Sequence, residues 1–444
     1  MGLAVTEELA VRTMTIAEPE PVPILYLEST TTFGGAINSL VHLLRGLDSG
    51  RYRPILATGQ PDAPLRARLG AVPIYRIPLK PYWVRGPLHR RVHALPIFRN
   101  RFVAKASIAV RFGYWSLVHT LPEALRYWRI GRRHGVRAVH LNNGFTSQPA
   151  GILAAKLLGV PCIAHTRGFV QVSPLARYYA RLVDHHIAIS TAIRDNLLEV
   201  GIEPDRISVV LDGVELSEFR DAETSEVLKV ELGIPAEARV FGIFGRIIRW
   251  KGIREFVLAA EKVLEAEPTA YAVIVGGVSD GSQAYHEEVV RLIETRGLAG
   301  RVIMTGYRTD IGSLMKAMDV VVHASIEPEP FGMVLIEAMA AGRPVVATRA
   351  GGPLDIIVAG QTGELVEPGD VDGMADAVLG LLRDPARARR MGREGARRAE
   401  SLFGMDRYAA EVEAVYARTI RCARPGAGAA SPRPPGRGGA RRGA

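Results

Sequence analysis

Two glutamates, Glu329 and Glu337, stand eight residues apart in the otherwise apolar stretch EPEPFGMVLIEAMAAGRPVVAT (327–348). Carboxylates are seldom buried among apolar side chains unless a partner pairs with them. With Glu329 at a helix N-terminus and Glu337 about two turns along, they would stand roughly 12 Å apart. One could then bind a ribose and the other a sugar ring, with the N–H groups of Phe331 and Gly332 facing phosphate or sugar oxygens. The spacing also fits a Glu329 that caps the helix and a Glu337 paired with an Arg.

Arg246 and Lys251 lie in a loop where an anion could bind. The run VFGIFGR (240–246) predicts a strand, IIRWKG follows as a short loop, and IREFVLAAEKVLEA (253–266) predicts a helix. Two cations would therefore stand beside a helix N-terminus, where free N–H groups and the helix dipole attract anions. A pyrophosphate suits this place. The alternative is that both side chains are solvated loop residues.

Short β-rich runs alternate with helical patterns in both halves of the chain, and continuous apolar strands between helices are typical of parallel sheets covered on both faces. We therefore predict an α/β protein with two doubly wound domains. The predicted strands lie at 23–29, 52–59, 138–143, 161–166, 185–190, 240–246, 270–277, 301–306, 319–325 and 344–348. The predicted helices among them include 36–47, 148–159 and 253–266.

Length and composition limit the class of protein. The 444 residues exceed one ordinary core. No run of 18 or more apolar residues is present, and the first 20 residues carry four Glu and one Arg, unlike a secretory signal. Two cysteines cannot build a disulfide framework. These features predict a cytoplasmic enzyme, and the formal net charge of +10 favours phosphate-bearing partners without choosing among nucleotides, anionic lipids and nucleic acid.

Composition also suggests the domain boundaries. The strand pattern lapses near SVVLDGVELSEFRDAETSEV (208–227), so we place one domain at 22–213 and the other at 214–422, with the last helix able to return to the first. Residues 1–21 are predicted to form a flexible arm. Residues 423–444, rich in Gly, Pro, Ala and Arg, are predicted to be a disordered basic tail.

Several motifs resemble those of one enzyme family. The EPFG stretch (329–332) with its second Glu, continued by AMAAGRPVVAT and AGGPLDIIVAGQTGELVEPGD, resembles the retaining glycosyltransferases of family 4. FGRIIRWKG resembles their phosphate-binding loop, and FGGAINSLVHLL their first glycine loop and helix. ISTAIRDNLLEVGIEPDRISVVLDGVE resembles their interdomain segment, with Asp212 where the family usually has Asn. The resemblance covers about residues 22 to 420 and implies the GT-B fold, two facing Rossmann-like domains around a cleft.

The resemblance implies roles for residues of the second domain. Arg246 and Lys251 would hold the diphosphate of a UDP- or GDP-linked sugar. Glu337 would bind the ribose, and Glu329 the donor sugar. Tyr307 and Arg308 would lie near the base of the donor. Phe331 and Gly332 would bind the donor through their backbone N–H groups.

The resemblance also implies roles in the first domain. Gly34 and Gly35 would let the backbone approach the diphosphate from the opposite side. The family often has a catalytic His where this chain has Asn142, and His140 lies two residues earlier, so both are catalytic candidates. His165, on the next strand, is an alternative polar group. A single His at a strand end is more often structural than catalytic.

The implied reaction transfers a hexosyl group from a nucleotide-diphosphate sugar to an acceptor hydroxyl. The resemblance implies that the leaving phosphate helps to deprotonate the acceptor on the same face, while Arg, Lys and helix dipoles stabilise the departing diphosphate. No metal ion or other cofactor is expected. The Asp-x-Asp at Asp370 and Asp372 precedes a helical pattern and is interpreted as a helix cap.

Residues 80–137 mix many Arg with Tyr, Trp and Phe. This composition suits an anionic membrane surface, where a glycan or lipid-linked acceptor would be reached from the inner face of the cell membrane. It equally suits a pair of helices with apolar cores and Arg-rich outer faces. Such a setting agrees with synthesis of cell-surface polysaccharide, glycolipid or another glycan.

Two other functions remain as alternatives. A nicotinamide-dependent oxidoreductase would need G-x-G-x-x-G after the first strand and an acidic residue ending the second, but the chain has FGGAINS and Ala57-Thr58-Gly59. A nucleic-acid-binding protein is favoured only by charge and the Arg-rich tail, since no binding module is recognisable. We therefore expect no nucleic-acid partner.

Overall fold

In the computed structural model, the protein is described over residues 20–30, 34–77, 116–223, 226–279 and 281–422. The predicted arm at 1–21 lies almost wholly outside these ranges, as do the predicted tail at 423–444 and the 80–115 part of the basic region. Within the described ranges, no helix is both long enough and apolar enough to cross a bilayer.

The strands all pair in parallel within the described residues. They are β1 (Val22–Glu28), β2 (Tyr52–Thr58), β3 (Ile74–Arg76), β4 (Ala138–Leu141), β5 (Cys162–Thr166), β6 (His185–Ala188), β7 (Ile207–Val209), β8 (Val240–Phe244), β9 (Tyr271–Val275), β10 (Val302–Gly306), β11 (Val320–His323), β12 (Val345–Thr348) and β13 (Glu364–Val366).

The helices alternate with these strands. They are α1 (Gly35–Gly46), α2 (Asp62–Leu69), α3 (Leu121–His134), α4 (Pro149–Leu158), α5 (Pro174–Leu182), α6 (Thr191–Val200), α7 (Ser217–Arg220), α8 (Glu226–Glu231), α9 (Ile253–Ala266), α10 (Gln283–Thr295), α11 (Ile311–Ala317), α12 (Met333–Ala340), α13 (Pro353–Ile356), α14 (Val371–Arg383), α15 (Pro385–Leu402) and α16 (Met405–Cys422).

The strands form two sheets, which confirms the predicted pair of doubly wound α/β domains. The first has the order β3-β2-β1-β4-β5-β6-β7, and the second the order β10-β9-β8-β11-β12-β13. The strand order reverses between β1 and β4 in the first sheet and between β8 and β11 in the second. Ligands of such sheets bind outside the carboxyl ends of the strands at these reversals. The fold therefore directs attention to the loops after β1, β4, β8 and β11.

Helix α9 shows how the apolar pattern fixes an element beside the site. It buries Ile253, Phe256, Val257, Ala260 and Val263 against the second sheet, at the spacing of one helical face. Gly252 immediately precedes it in the left-handed conformation, with φ of 69°. The pattern and the glycine together place the helix N-terminus directly after the Lys251 loop.

The chain passes between the two sheets twice, and the two crossings touch. The backbone N–H of Val214 donates to the carbonyl oxygen of Phe403 at 2.9 Å. After the second crossing, α16 packs on α1 and the first sheet, where Tyr416 Oη donates to Tyr26 Oη at 3.0 Å. The last described helix is thus part of the first core.

The described end of the basic region is an ordinary amphipathic helix. α3 buries Ala124, Tyr127 and Ile130 and exposes Arg126 and Arg129 on its outer side. This part agrees with the helical alternative for residues 80–137. The membrane interpretation of residues 80–115 falls outside the described residues.

Candidate functional site

The loop after β8 and the end of β11 lie in close contact. A Cβ atom on Gly252 would stand 1.8 Å from the carbonyl oxygen of Ala324, so only glycine fits there. The three residues before it, Arg249–Lys251, form a 3₁₀ turn. This approach carries Lys251 to the carboxyl end of β11, where the sequence predicted Glu329.

Lys251 and Arg246 occupy different environments in this loop. Lys251 Nζ donates to Glu329 Oε2 at 2.6 Å and lies 4.3 Å from the centre of the Trp250 ring. Arg246 is exposed, and its guanidinium has no hydrogen-bond or ion-pair partner among the described residues. Arg249, also exposed, is bound to Glu288 at 2.6 Å. The loop therefore offers two held cations, Lys251 and Arg249, and one cation, Arg246, that is unpaired among the described residues.

Glu329 is a buried carboxylate with three side-chain partners. Besides Lys251, Ser325 Oγ donates to its Oε2 at 3.0 Å, and the ring nitrogen Nε2 of His323 lies 3.1 Å from the same atom. Burial alone would raise the pKa of Glu329, but the Lys251 charge and the contacts with His323 lower it to about 2. Glu329 is thus ionised at neutral pH. Its carboxylate pairs with a cation and does not cap the helix.

The backbone from Glu329 to Gly332 is pinned by the loop after β12. The N–H of Gly352 donates to the Glu329 carbonyl oxygen at 2.7 Å, and a Cβ on Gly352 would lie 2.1 Å from the Phe331 oxygen. The buried Phe331 ring packs against Phe403. In the described part of the chain, the N–H groups of Phe331 and Gly332 have no acceptor. They are fixed donors beside an ionised carboxylate.

The N-termini of α1 and α12 face each other across the two domains. A Cβ on Gly35 would stand 3.7 Å from Cγ of Met333, the first residue of α12, and Ser39 Oγ lies 3.5 Å from the Met333 sulfur. A Cβ on Gly34 would meet nothing within 4 Å. The N-terminus of each helix carries the positive end of its dipole, which favours an anion nearby.

Glu337 lies in α12 and is partly exposed. Among the described residues its carboxylate has no hydrogen-bond or ion-pair partner, so none of them forms the Arg pair that the sequence left open. Burial, with a smaller effect of the Glu218 charge, raises the pKa of Glu337 to about 7. The sequence predicted one continuous helix from Glu329 to Glu337. Glu329 instead precedes the helix by four residues, so this prediction is wrong.

Tyr307 and Arg308 follow β10, at the same carboxyl edge of the second sheet as the loops after β8 and β11. The Tyr307 side chain is 78% exposed and available to a ligand. The Arg308 guanidinium is bound to Glu231 at 2.5 Å and Asp310 at 2.7 Å. Arg308 is therefore held by two carboxylates, and the sequence did not predict either ion pair.

The first-domain candidates separate in the structure. Asn142 lies at the carboxyl end of β4, where its amide donates to the Glu28 carboxylate and to the Ala36 carbonyl oxygen, the latter at 3.1 Å. His140 is completely buried beneath α16, with Nδ1 2.8 Å from Tyr416 Oη. Burial, aided by Arg167, lowers the pKa of His140 to about 3. His140 therefore belongs to the core and does not reach the cleft.

His165 is likewise a core residue. It is fully buried, its ring packs against His140, and burial holds its pKa well below the ordinary value. A neutral, buried imidazole of this kind fits a structural role.

Sequence reasoning missed a buried polar network beside Asn142. Arg167 Nε donates to Asn142 Oδ1 at 3.0 Å, Nη1 to Asp212 Oδ1 at 2.6 Å and Nη2 to Tyr408 Oη at 2.7 Å. Ser39 Oγ donates to Asp212 Oδ2 at 3.0 Å. The signal was present in HTRGF, where a charged residue directly follows a buried strand. His323 and Ser325, which hold Glu329, were likewise visible at the end of DVVVHAS.

The Asp-x-Asp motif is a helix cap, as interpreted. Asp370 Oδ1 accepts from the N–H of Gly373 at 2.8 Å, and Asp372 pairs with Lys262 at 2.9 Å. Within the described ranges, no group of three or more His, Cys, Asp or Glu is arranged to hold a metal ion.

Two parallel sheets that bring facing helix N-termini to one cleft define the GT-B class of glycosyltransferases. Residues 33–218 match the family model described as Glycosyltransferase Family 4, and residues 224–398 match Glycosyl transferases group 1. D-inositol 3-phosphate glycosyltransferase 2 of Catenulispora acidiphila is 31% identical over 331 residues, 69% of this chain and 72% of that protein. The chain belongs to glycosyltransferase family 4 and is a glycosyltransferase.

Other comparisons agree with this assignment. The D-inositol 3-phosphate glycosyltransferase of Mycobacterium tuberculosis (strain F11) is 31% identical over 339 residues, 72% of this chain and 65% of that protein. The Anabaena protein Alr3699/HepE, solved in complex with UDP and glucose, superimposes with a TM-score of 0.70 at 24% identity, over 89% of this chain and 99% of that one. A glycosyltransferase from Rickettsia africae gives 0.74 at 19% identity, over 91% and 100%. These structures share the fold.

Proposed function

We propose that the protein is a retaining glycosyltransferase that moves a hexosyl group from a nucleotide-diphosphate sugar to an acceptor hydroxyl. One observation carries this proposal: the ionised Glu329, held by Lys251, lies beside the unpaired N–H groups of Phe331 and Gly332 at the carboxyl end of β11. A carboxylate and fixed donors together match the hydroxyl and phosphate oxygens of such a donor.

The donor lies along the second domain in this proposal. Arg246 and Lys251 bind the diphosphate, supported by the facing N-termini of α1 and α12. Glu337, whose carboxylate lacks a partner in the described residues, binds the ribose. Glu329 binds the sugar. The exposed Tyr307 and the held Arg308 lie near the base.

Charge stabilisation by the protein is central to the proposed chemistry. The bond between the sugar and the leaving diphosphate breaks, the acceptor oxygen bonds to the sugar carbon on the same face, and the acceptor proton passes to a phosphate oxygen. Arg246, Lys251 and the N–H groups stabilise the charge that develops on the diphosphate. In this proposal the cationic side chains do what a metal ion would do, so neither a metal ion nor a further cofactor is required.

The proposed setting is glycan synthesis, as cell-surface polysaccharide, glycolipid or another glycan, by a cytoplasmic enzyme that is peripheral on the inner face of the cell membrane. The UDP and glucose in the Anabaena complex support a UDP-linked donor, with GDP as the alternative. The names of the relatives add D-inositol 3-phosphate to the acceptors that should be tested.

The test begins with a screen of nucleotide-sugars by thermal stabilisation and by release of nucleoside diphosphate, with and without EDTA. A ligand that binds only the folded state raises the melting temperature in proportion to its concentration over Kd. We expect one UDP- or GDP-sugar to stabilise the protein and turn over without added metal. Failure of every nucleotide-sugar to stabilise or react would contradict the proposal.

The same assay separates the two glutamates. Glu337→Gln should weaken binding of the bare nucleoside diphosphate, since the ribose is part of it. Glu329→Gln should leave that binding nearly intact and lower turnover of the full donor, because a contact to the sugar acts in the transition state. Circular dichroism must first show that both variants are folded, since Glu329→Gln leaves Lys251 with a neutral partner. Wild-type turnover by a folded Glu329→Gln variant would make this carboxylate structural.

A further inference from the structure

An exposed apolar surface follows β5 in the first domain. Phe169, Val172, Leu175 and Tyr178 are respectively 44%, 43%, 45% and 57% exposed, and all four lie within ten residues of one another. We call these four side chains the β5 rim. Scattered single apolar residues on a surface are ordinary, but a run of large ones marks a place of contact.

The β5 rim rests on rigid backbone. Ser173 caps α5 by accepting the N–H of Ala176 at 3.1 Å, and α5 buries Ala176 and Ala180 against the domain. Leu175 and Tyr178 project from the opposite side of the helix, one turn apart. The rim is therefore a preformed feature of the fold, and its side chains are exposed while the core of the domain stays closed.

A second exposed apolar stretch lies at the same edge of the sheet. Leu117 is 65% exposed and Val118 38% exposed, just before α3. Because α3 and α5 each return the chain to the start of a parallel strand, both helices begin at the carboxyl edge of the sheet. That edge also borders the cleft. The two exposed stretches thus lie at the sheet edge that borders the cleft.

The charge around the β5 rim has one sign. The segment RGFVQVSPLARYYARLV (167–183) contains three Arg and no Asp or Glu. Arg167 is committed to Asp212, whereas Arg177 and Arg181 are exposed on α5 without ion-pair partners in the described residues. A rigid apolar patch flanked by unpaired guanidinium groups is typical of surfaces that lie in the head-group region of a bilayer.

We propose that the β5 rim, with Arg177 and Arg181, docks the protein on an anionic lipid bilayer. The apolar side chains enter the boundary between head groups and acyl chains, and the guanidinium groups bind lipid phosphates. A second copy of the chain is a poorer partner, since self-association through this patch would bring the unpaired Arg residues of both copies together. The inference rests on the proposed function, because docking at this edge would present a lipid-linked acceptor to the cleft.

The test measures sedimentation of the full chain with vesicles of phosphatidylcholine alone or containing phosphatidylglycerol, at low and high salt. Leu175→Ser with Tyr178→Ser should weaken binding to the anionic vesicles by about tenfold, because about half of each side chain is already free to enter the lipid. Arg177→Gln and Arg181→Gln should each weaken it by about fivefold and reduce its salt dependence. Val230→Ser is the matched control, since Val230 is 71% exposed but lies on α8 of the second domain.

Several results would overturn the docking proposal. Wild-type protein that ignores anionic vesicles at low salt would do so, and so would a Leu175→Ser, Tyr178→Ser variant that binds them like wild type. A wild-type dimer in light scattering that this variant converts to a monomer, with unchanged vesicle binding, would assign the rim to self-association. Thermal stabilisation by nucleotide-sugar should be equal in this variant and in wild type, so loss of docking and failure of the proposed donor site give different results.

Discussion

Arg246 and Lys251 lie in one loop, but only Lys251 is held in place before any ligand arrives. We expect Arg246→Ala and Lys251→Ala each to lose one charge-assisted contact to a nucleoside diphosphate, about 1.5–3 kcal/mol of binding free energy. Arg249→Ala is the control, because Arg249 is exposed in the same loop and bound to Glu288. Isothermal titration calorimetry measures the three affinities. Unchanged affinity in both test variants, or equal losses in all three, would show that the diphosphate does not bind to Arg246 and Lys251.

The proposed role of Glu337 predicts that nucleotide binding depends on pH. Its pKa is raised from the ordinary value of 4.5 to about 7, so its carboxyl becomes ionised as the pH rises through neutrality. Since the ionised form is the better acceptor for ribose hydroxyls, affinity for nucleoside diphosphate should rise between about pH 6 and pH 8. The nucleotide's own phosphate also titrates, near about pH 6. Affinity should therefore be expressed relative to Glu337→Gln at each pH, and a constant ratio would contradict the role.

Folding stability should change in the opposite direction. A raised pKa means that the folded state keeps the Glu337 proton over a range in which the unfolded state has lost it. The contribution of this group therefore falls as the pH rises from about 4.5 to about 7. Urea titrations across this range should show a smaller decline for Glu337→Gln than for wild type.

At the scale of single residues, the sequence identified most of the charges but not their partners. Glu329 and Lys251 were both predicted as site residues, but the 2.6 Å contact between them was not. The partners His323 and Ser325 went unnoticed because His323 ends β11 and Ser325 lies two residues beyond it, before the 327–348 stretch. Arg167 and Asp212 are 45 residues apart in the chain, and no local pattern predicts such a pair.

At the scale of elements, two glycines with nearly the same backbone conformation differ in what surrounds them. Gly252 has φ of 69° and Gly297 has φ of 65°, but a Cβ would meet the Ala324 oxygen at 1.8 Å in the first case and nothing within 4 Å in the second. Both changes to Ala carry the left-handed penalty of about 1–2 kcal/mol. Gly252→Ala should therefore lower the melting temperature more than Gly297→Ala, and should also weaken nucleotide binding by displacing Lys251. Equal melting temperatures would show that the loop shifts without cost.

Element prediction succeeded for every strand except the three shortest, which lie at sheet edges. The ten predicted strands are all present, and α9 has the predicted bounds, Ile253–Ala266. The missed strands β3, β7 and β13 have three residues each and lie at sheet edges. A strand of that length shows too little of the apolar pattern to be distinguished from a loop. A strand this short forms because its backbone pairs with the neighbouring strand of the sheet.

At the scale of the whole molecule, Asp355 of α13 joins the second domain to the first. Its Oδ2 accepts the N–H of Thr191, the first residue of α6, at 2.7 Å, and its Oδ1 accepts the Thr191 hydroxyl. Asp355→Ala should favour a more open arrangement, which small-angle X-ray scattering would record as a larger radius of gyration. Asp376→Ala, at an exposed position of α14, is the control. An unchanged radius in Asp355→Ala would show that other contacts set the separation of the domains.

The two crossings between the domains restrict how this molecule can move. Val214 is bonded to Phe403, and Gly213 is so close to the second crossing that a Cβ there would lie 2.8 Å from the Gly404 oxygen. Two interdomain segments that are hydrogen-bonded to each other act as a hinge. They permit rotation about one axis, whereas twisting or sliding of one domain against the other would break the hydrogen bond between Val214 and Phe403. We therefore expect the domains to have one low-energy degree of freedom. In the proposed reaction, we expect donor entry and nucleotide release to follow this one path in opposite directions, and a bulky group at Gly213 to obstruct both.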